Sequence, residues 1–297
     1  MVYPGLQYSD YWRRSVASFR ARMREIGIRF RLEDHFTKPG TEVRLQSRLI
    51  GEAMADAPDY LIFTLDAMRH RGIIERVMAR GRTKVILQNI TTPLRAFGDH
   101  QPFLYVGFDH ATGARLLARE YRRVFPDGAR YAIFYGPAGY VSQMRGGTFR
   151  QEMAEHPNMQ LVASYYVNFD RDRAYKAALE LLAREPKLDF IYACSTDIAH
   201  GVVDALKSTG RLATVRVNGW GGGASELAAI ESGDLDFTVM RMNDDNGVAM
   251  AEAIRLDLEQ GEEKVPVVFS GAFEVVRRGI SRDELDRLRR HAFRYSD

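Results

Sequence analysis

At 297 residues, with 45% hydrophobic and 27% charged side chains, the chain has the composition of an ordinary globular protein and a length that favours two domains. Lys and Arg number 42 against 39 Asp and Glu, a formal charge of +3, and the charges alternate along helices without forming a basic block, which argues against nucleic acid as a partner. The single cysteine, Cys194, excludes a disulfide framework and a cysteine-rich metal site, and no stretch approaches the ~20 apolar residues of a membrane span.

Met1-Val2-Tyr3 reads as the end of a strand that began earlier, so the sequence is expected to be trimmed at its amino terminus; no basic-then-apolar leader opens it. Tyr11 to Ile26 then reads as an amphipathic helix, Arg29 to Leu32 as a strand and Glu42 to Ala55 as a helix. A buried strand at Tyr60–Thr64, a helix at Arg71–Arg80 and a strand at Lys84–Leu87 follow, then a strand at Leu104–Phe108. A second series places helices at Ala111–Phe125, Arg145–Glu155, Arg171–Ala183 and Asp197–Ser208. Strands at Tyr131–Tyr135, Leu161–Tyr166, Phe190–Cys194 and Thr214–Val217 alternate with them. The pattern ends with helix Ser225–Ser232, strand Phe237–Met240, helix Gly247–Glu259, strands Val265–Phe269 and Phe273–Val276, and helix Ser281–Arg290. Short apolar runs between helices are the mark of parallel strands covered on both faces. The expectation is an α/β protein of two Rossmann-like lobes with parallel sheets. One lobe takes residues 1–108 and 242–269, the other 109–241 and 270–297. Three crossovers join them, near Gly107–His110, Arg241–Asn243 and Ser270–Phe273.

Enzyme signatures are missing. There is no G-x-x-x-x-G-K-[ST] phosphate loop and no G-x-S-x-G elbow. Gly219-Trp220-Gly221-Gly222-Gly223 lacks dinucleotide-loop spacing and carries a bulky indole where pyrophosphate would approach. None of the seven histidines pairs with another at metal spacing, and Asp109-His110 reads as a helix entry. Asn243-Asp244-Asp245 reads as caps and dipole partners of the next helix, with Asp244 or Asp245 as a metal ligand the lesser alternative.

What remains is a polar and aromatic set at expected strand ends, the place where open α/β sheets bind ligands. The only two tryptophans, Trp12 and Trp220, each stand just past an expected strand. With them come Gln7 and Ser9 near the first strand, Asn89, Arg145 at a helix start, Thr196 and Arg241. Hydroxyl, amide, guanidinium and indole groups together suit a small oxygen-rich ligand, and two arginines suit one that carries negative charge. An arginine at a strand end is equally compatible with a structural role.

Seven segments carry a resemblance along nearly the whole chain: VYPGLQYSDYW (2–12), YLIFTLD (60–66), LQNITTP (87–93), HQPFLYV (100–106), FIYACSTD (190–197), NGWGGG (218–223) and TVMRMNDD (238–245). With them the chain resembles the LuxP-like autoinducer-2-binding receptors, within the ribose-binding-like periplasmic protein superfamily. The resemblance implies a type I periplasmic binding protein with a three-segment hinge, no catalysis and no cofactor. It implies autoinducer-2 as ligand, as its furanosyl borate diester, in the cleft between lobes. Gln7, Ser9, Trp12, Asn89, Arg145, Thr196, Trp220 and Arg241 would be its contacts, with Arg145 and Arg241 flanking the borate. Lobe closure would signal to a membrane sensor histidine kinase of the LuxQ type, which implies a periplasmic location. The alternative is the solute-binding component of a ribose- or autoinducer-2-type ABC importer, with a permease as partner. A repressor effector domain shares the architecture as well.

Overall fold

The computed structural model describes residues 1–3, 10–37, 42–64, 71–79 and 81–295. The chain divides into two compact units. The first holds Met1–Asp109, Met242–Ala272 and Asp286–Asp297; the second holds His110–Arg241 and Phe273–Leu285. The boundaries at 109/110, 241/242 and 272/273 are joined by a further passage after Leu285. Residues 286–297, expected with the second lobe, group with the first. Asp244 Oδ2 there accepts the Tyr295 N–H at 2.6 Å, and Asp245 pairs with Arg294 at 2.8 Å. The acidic pair thus begins its helix as expected, and its side chains also tether the carboxy-terminal segment.

In the first unit β1 (Val2–Tyr3), β2 (His35–Phe36), β3 (Tyr60–Phe63), β4 (Lys84–Gln88) and β5 (Leu104–Phe108) are joined by β11 (Val268–Gly271). Their order is β11-β5-β4-β3-β1-β2, parallel throughout. The second unit repeats the order with β6 (Ala129–Tyr135), β7 (Met159–Tyr166), β8 (Phe190–Ala193), β9 (Arg216–Gly221), β10 (Phe237–Arg241) and β12 (Phe273–Arg277). It reads β12-β10-β9-β8-β6-β7, with β12 alone antiparallel. In each sheet the strand order reverses at its first strand, between β1 and β3 and between β6 and β8, and such a switch point leaves a crevice at the carboxyl ends.

Helices α1 (Asp10–Glu25), α2 (Val43–Ala55), α3 (Arg71–Ala79) and α10 (Asp244–Gln260) belong to the first unit. Helix α4 (His110–Val124) opens the second; α5 (Tyr140–Ser142), a π-helical turn (Gln143–Gly147) and α6 (Thr148–Ala154) follow as one rod. Helices α7 (Arg171–Arg184), α8 (Thr196–Ser208) and α9 (Ala224–Glu231) complete that unit, and α11 (Arg282–Ala292) ends the chain. Helix α4 shows why these segments are helical: Ala114, Leu117, Ala118 and Tyr121 recur at helical spacing on its buried face. The Tyr121 ring stacks on Phe190 of β8 at 3.8 Å, joining helix to sheet.

Three expectations need correction. Arg29–Leu32 is not a strand: β2 lies at His35–Phe36, where Val2 and Tyr3 supply its partners. The 29–32 segment keeps a strand-like alternation of exposure without a ladder to join. The late strand expected at Val265–Phe269 runs Val268–Gly271 instead, after a 3₁₀ turn at Glu262–Lys264. Finally, Trp220 does not follow its strand but lies inside β9, where Trp220 faces Val239 of β10 in register. Two glycines beside an indole read as a loop in sequence, yet pairing with β10 holds them extended.

Candidate functional site

In the second unit the carboxyl ends of β6, β8, β9 and β10 carry a connected cluster. Its opening is built by Asn218, fully buried in β9. The paired register of β8 and β9 covers Phe190 and Ile191, against Arg216 and Val217. Beyond it Asn218 takes over: Oδ1 accepts the Ala193 N–H at 3.0 Å and Nδ2 donates to the Ala193 carbonyl at 2.9 Å. A side chain thus takes the place of backbone pairing just before the strand ends that bear Thr196 and Trp220.

Arg145 lies in the π-helical turn, a local widening often found at functional positions. The Tyr135 ring occupies the space that a side chain at Gly146 would need. The Arg145 guanidinium lies 3.9 Å over the Trp220 ring, donates from Nη1 to the Cys194 carbonyl at 2.8 Å and from Nε to His110 Nδ1 at 3.3 Å. It is only 6% exposed, so these contacts replace its hydration. Trp220, 1% exposed, donates its indole N–H to the Tyr192 hydroxyl at 3.0 Å, and that hydroxyl donates to the Arg145 carbonyl at 3.2 Å. Burial pushes the Tyr192 hydroxyl well above its ordinary value, which keeps it a donor. Burial also raises the Cys194 thiol, with Arg145 offsetting only part, so the thiol is unreactive.

Thr196 begins α8, which Ser195 caps by accepting the Ile198 N–H, and its hydroxyl donates to the Trp220 carbonyl at 3.4 Å. Arg241 ends β10 and packs against Gly221, where an added Cβ would stand 2.6 Å from Nη2. Arg145, Thr196, Trp220 and Arg241 are therefore brought together. Trp220 serves as a buried platform for a guanidinium rather than as an open wall.

The first unit gathers less. Trp12 lies in the first turn of α1 and stacks on Tyr3 of β1 at 4.7 Å, with Tyr11 edge-on at 4.6 Å. Asn89 follows β4 with φ +69°, and its buried Oδ1 accepts no hydrogen bond among the described residues. The turn is possible because Gly107 lies beside it: an added Cβ would meet Asn89 Cα at 3.0 Å. Gln7 and Ser9 lie outside the described residues. A cavity of about 1120 Å³ in this unit is lined by Val2, Tyr60 and Lys84, at the amino ends of β1, β3 and β4, and by none of the predicted contacts. Its lining places it at the end of the sheet opposite to the strand-end chemistry.

Sequence reading missed several participants. His110, taken as a helix-entry residue, orients Arg145. Phe273 meets the Trp220 ring edge-on at 5.6 Å. Phe169 follows β7 with φ +55°, next to Asn168 at +58°, and its ring fills the space beside Gly136 at the end of β6. Two successive left-handed residues store strain, which marks a position held for its side chain. A search for aromatic residues just past strand ends would have found Phe169, which follows β7.

A family model described as periplasmic binding protein domain matches residues 1–263. The D-allose-binding periplasmic protein of Escherichia coli is 27% identical over 167 residues, 56% of this chain and 53% of that protein. A D-ribose/D-allose-binding protein of Pseudomonas aeruginosa is 25% identical over 205 residues, covering 68% and 63%. The chain spans about half the length of the curated relatives it matches. Among solved structures, an ABC transporter solute-binding protein from Agrobacterium vitis bound with α-D-tagatopyranose has a TM-score of 0.86 at 18% identity, covering 97% of both chains. One from Actinobacillus succinogenes with bound D-allose has a TM-score of 0.82 at 20% identity, covering 96% and 98%. These likenesses give the fold, two α/β lobes of the type I periplasmic binding protein. The match over residues 1–263 places the chain in the periplasmic binding protein domain family, which binds solutes and is not enzymatic.

Proposed function

We propose that the chain is the sugar-binding component of an ABC importer, taking a ribose- or allose-type monosaccharide in the periplasm and delivering it to a permease. The observation that carries this reading is the cluster at the strand ends of the second unit. Arg145 lies on the Trp220 ring, and Arg241 lies against the adjoining Gly221. Guanidinium forks suit vicinal hydroxyls and ring oxygens. The named relatives bind ribose and allose, which supports a sugar over other solutes. The ligand contacts in this reading are Arg145, Thr196, Arg241 and Phe169, with Trp220 beneath them. Trp12, Asn89, Gln7 and Ser9 are the contacts proposed for the first unit.

The guanidinium pair favours a second reading, a receptor for autoinducer-2 as its furanosyl borate diester, signalling to a membrane sensor kinase. Burying a fixed anion without partners costs several kcal/mol, and two arginines would offset that. A neutral sugar has less need of both.

Isothermal titration with D-ribose, D-allose and the autoinducer-2 precursor, the last with and without borate, tests both. Tighter binding of ribose or allose supports the importer component. Tighter binding of the precursor, lost when borate is omitted, supports the receptor. Absence of heat with all of them overturns both. Arg241→Ala is expected to weaken binding by at least ~30-fold while the thermal unfolding transition persists.

A further inference from the structure

Glu226, in the first turn of α9, is fully buried, and its carboxylate accepts three hydrogen bonds, two from the backbone between Trp220 and Gly222 and one from Thr238 of the neighbouring β10. Oε1 accepts the Trp220 N–H at 2.8 Å; Oε2 accepts the Gly222 N–H at 2.8 Å and the Thr238 hydroxyl at 2.6 Å. The chain is shaped around this group. A Cβ at Gly219 would stand 2.5 Å from Oε2, Gly221 and Gly222 have φ of +141° and +65°, and a Cβ at Gly222 would stand 2.5 Å from the Met240 backbone. Gly222 takes a conformation that side chains disfavour, and the carboxylate holds its N–H there.

What this stretch carries is the pair of guanidinium groups. Trp220 bears Arg145 on its ring, and Gly221 lies against the Arg241 guanidinium. We infer that Glu226 is a positioning residue for ligand binding: without touching the ligand, its carboxylate fixes the Trp220–Gly222 backbone and through it the placement of Arg145 and Arg241. The inference rests on the reading of those arginines as ligand contacts. A glutamine at this position keeps the volume and one acceptor but turns an N–H₂ toward donors, so the stretch must shift to relieve an unmatched buried N–H.

The test uses Glu226→Gln in the 297-residue chain, with D-ribose and the borate-supplemented autoinducer-2 precursor as probes. Binding of whichever probe the wild type takes is expected to weaken by roughly tenfold or more. Glu120→Gln, which breaks an ion pair of the same unit outside this cluster, serves as a control for lost stability and is expected to keep wild-type affinity. In a Trp12→Phe background, where Trp220 is the sole indole, Glu226→Gln is expected to shift the emission maximum of the ligand-free protein. Wild-type affinity together with an unshifted maximum overturns the inference, as does an affinity loss that Glu120→Gln reproduces. If Arg145→Ala and Arg241→Ala both bind normally, the reading of the arginines is what fails. The Trp220 emission then still decides whether Glu226 holds the strand end.

Discussion

Gly113 lies inside α4, where glycine costs roughly 1 kcal/mol against alanine. The cost is explained by the indole: a Cβ there would stand 2.7 Å from Trp220 Cη2 and 3.1 Å from Phe273 Cζ. Gly113→Ala is therefore expected to improve the helix yet displace Trp220, weakening ligand binding by about tenfold or more, as titration would read. Asn218 makes a complementary case. Its amide satisfies both backbone groups of Ala193 and accepts the Tyr121 hydroxyl at 2.9 Å. Asn218→Leu leaves several buried groups unmatched, and chemical denaturation is expected to show a loss of ~3 kcal/mol or more. Neither role is visible in sequence, because a glycine in a helix and an asparagine in a strand look like local defects until their neighbours are known.

At the scale of elements, the contact between α1 and α10 shows how small residues permit close approach. A Cβ at Gly247 would stand 2.1 Å from Ser18 Oγ and 2.5 Å from the Ser15 carbonyl. Gly247→Ala is expected to cost ~1–3 kcal/mol in equilibrium unfolding, by forcing the helices apart. Most elements were legible because apolar periodicity is a local property: α4, α7, β3, β4 and β6 lie within two residues of their expected bounds. Two of the three misplacements share one cause. Arg29–Leu32 has strand alternation without a ladder partner, and Asn218–Gly221 has loop composition with one. Pairing, not composition, decided both.

For the molecule as a whole, the two units repeat one strand order. The second is tied to its late strand by Glu120 of α4, which takes two bonds from Arg277 of β12, at 2.6 and 2.7 Å, and others from Arg123. Burial alone pushes the Glu120 carboxyl up, but the bonds from Arg277 and Arg123 more than offset it and hold it below its ordinary 4.5. A carboxyl depressed in the folded state adds stability that is complete above 4.5 and lost as pH falls through the lower folded value. Thermal unfolding should therefore show a stability decline below pH 4.5 that is shallower in Glu120→Gln.

The sequence by itself determined the alternation of strand and helix, the division into two α/β units and the kinds of side chain at the strand ends, because each is written in local pattern. Tertiary structure alone decided what those side chains do. Trp220 became a platform for Arg145, His110 an orienting partner, and Phe169 a ring held by a strained turn. The physical reason is that a strand order joins residues far apart in the chain: Arg145, Cys194 and Trp220 meet only where β6, β8 and β9 lie side by side.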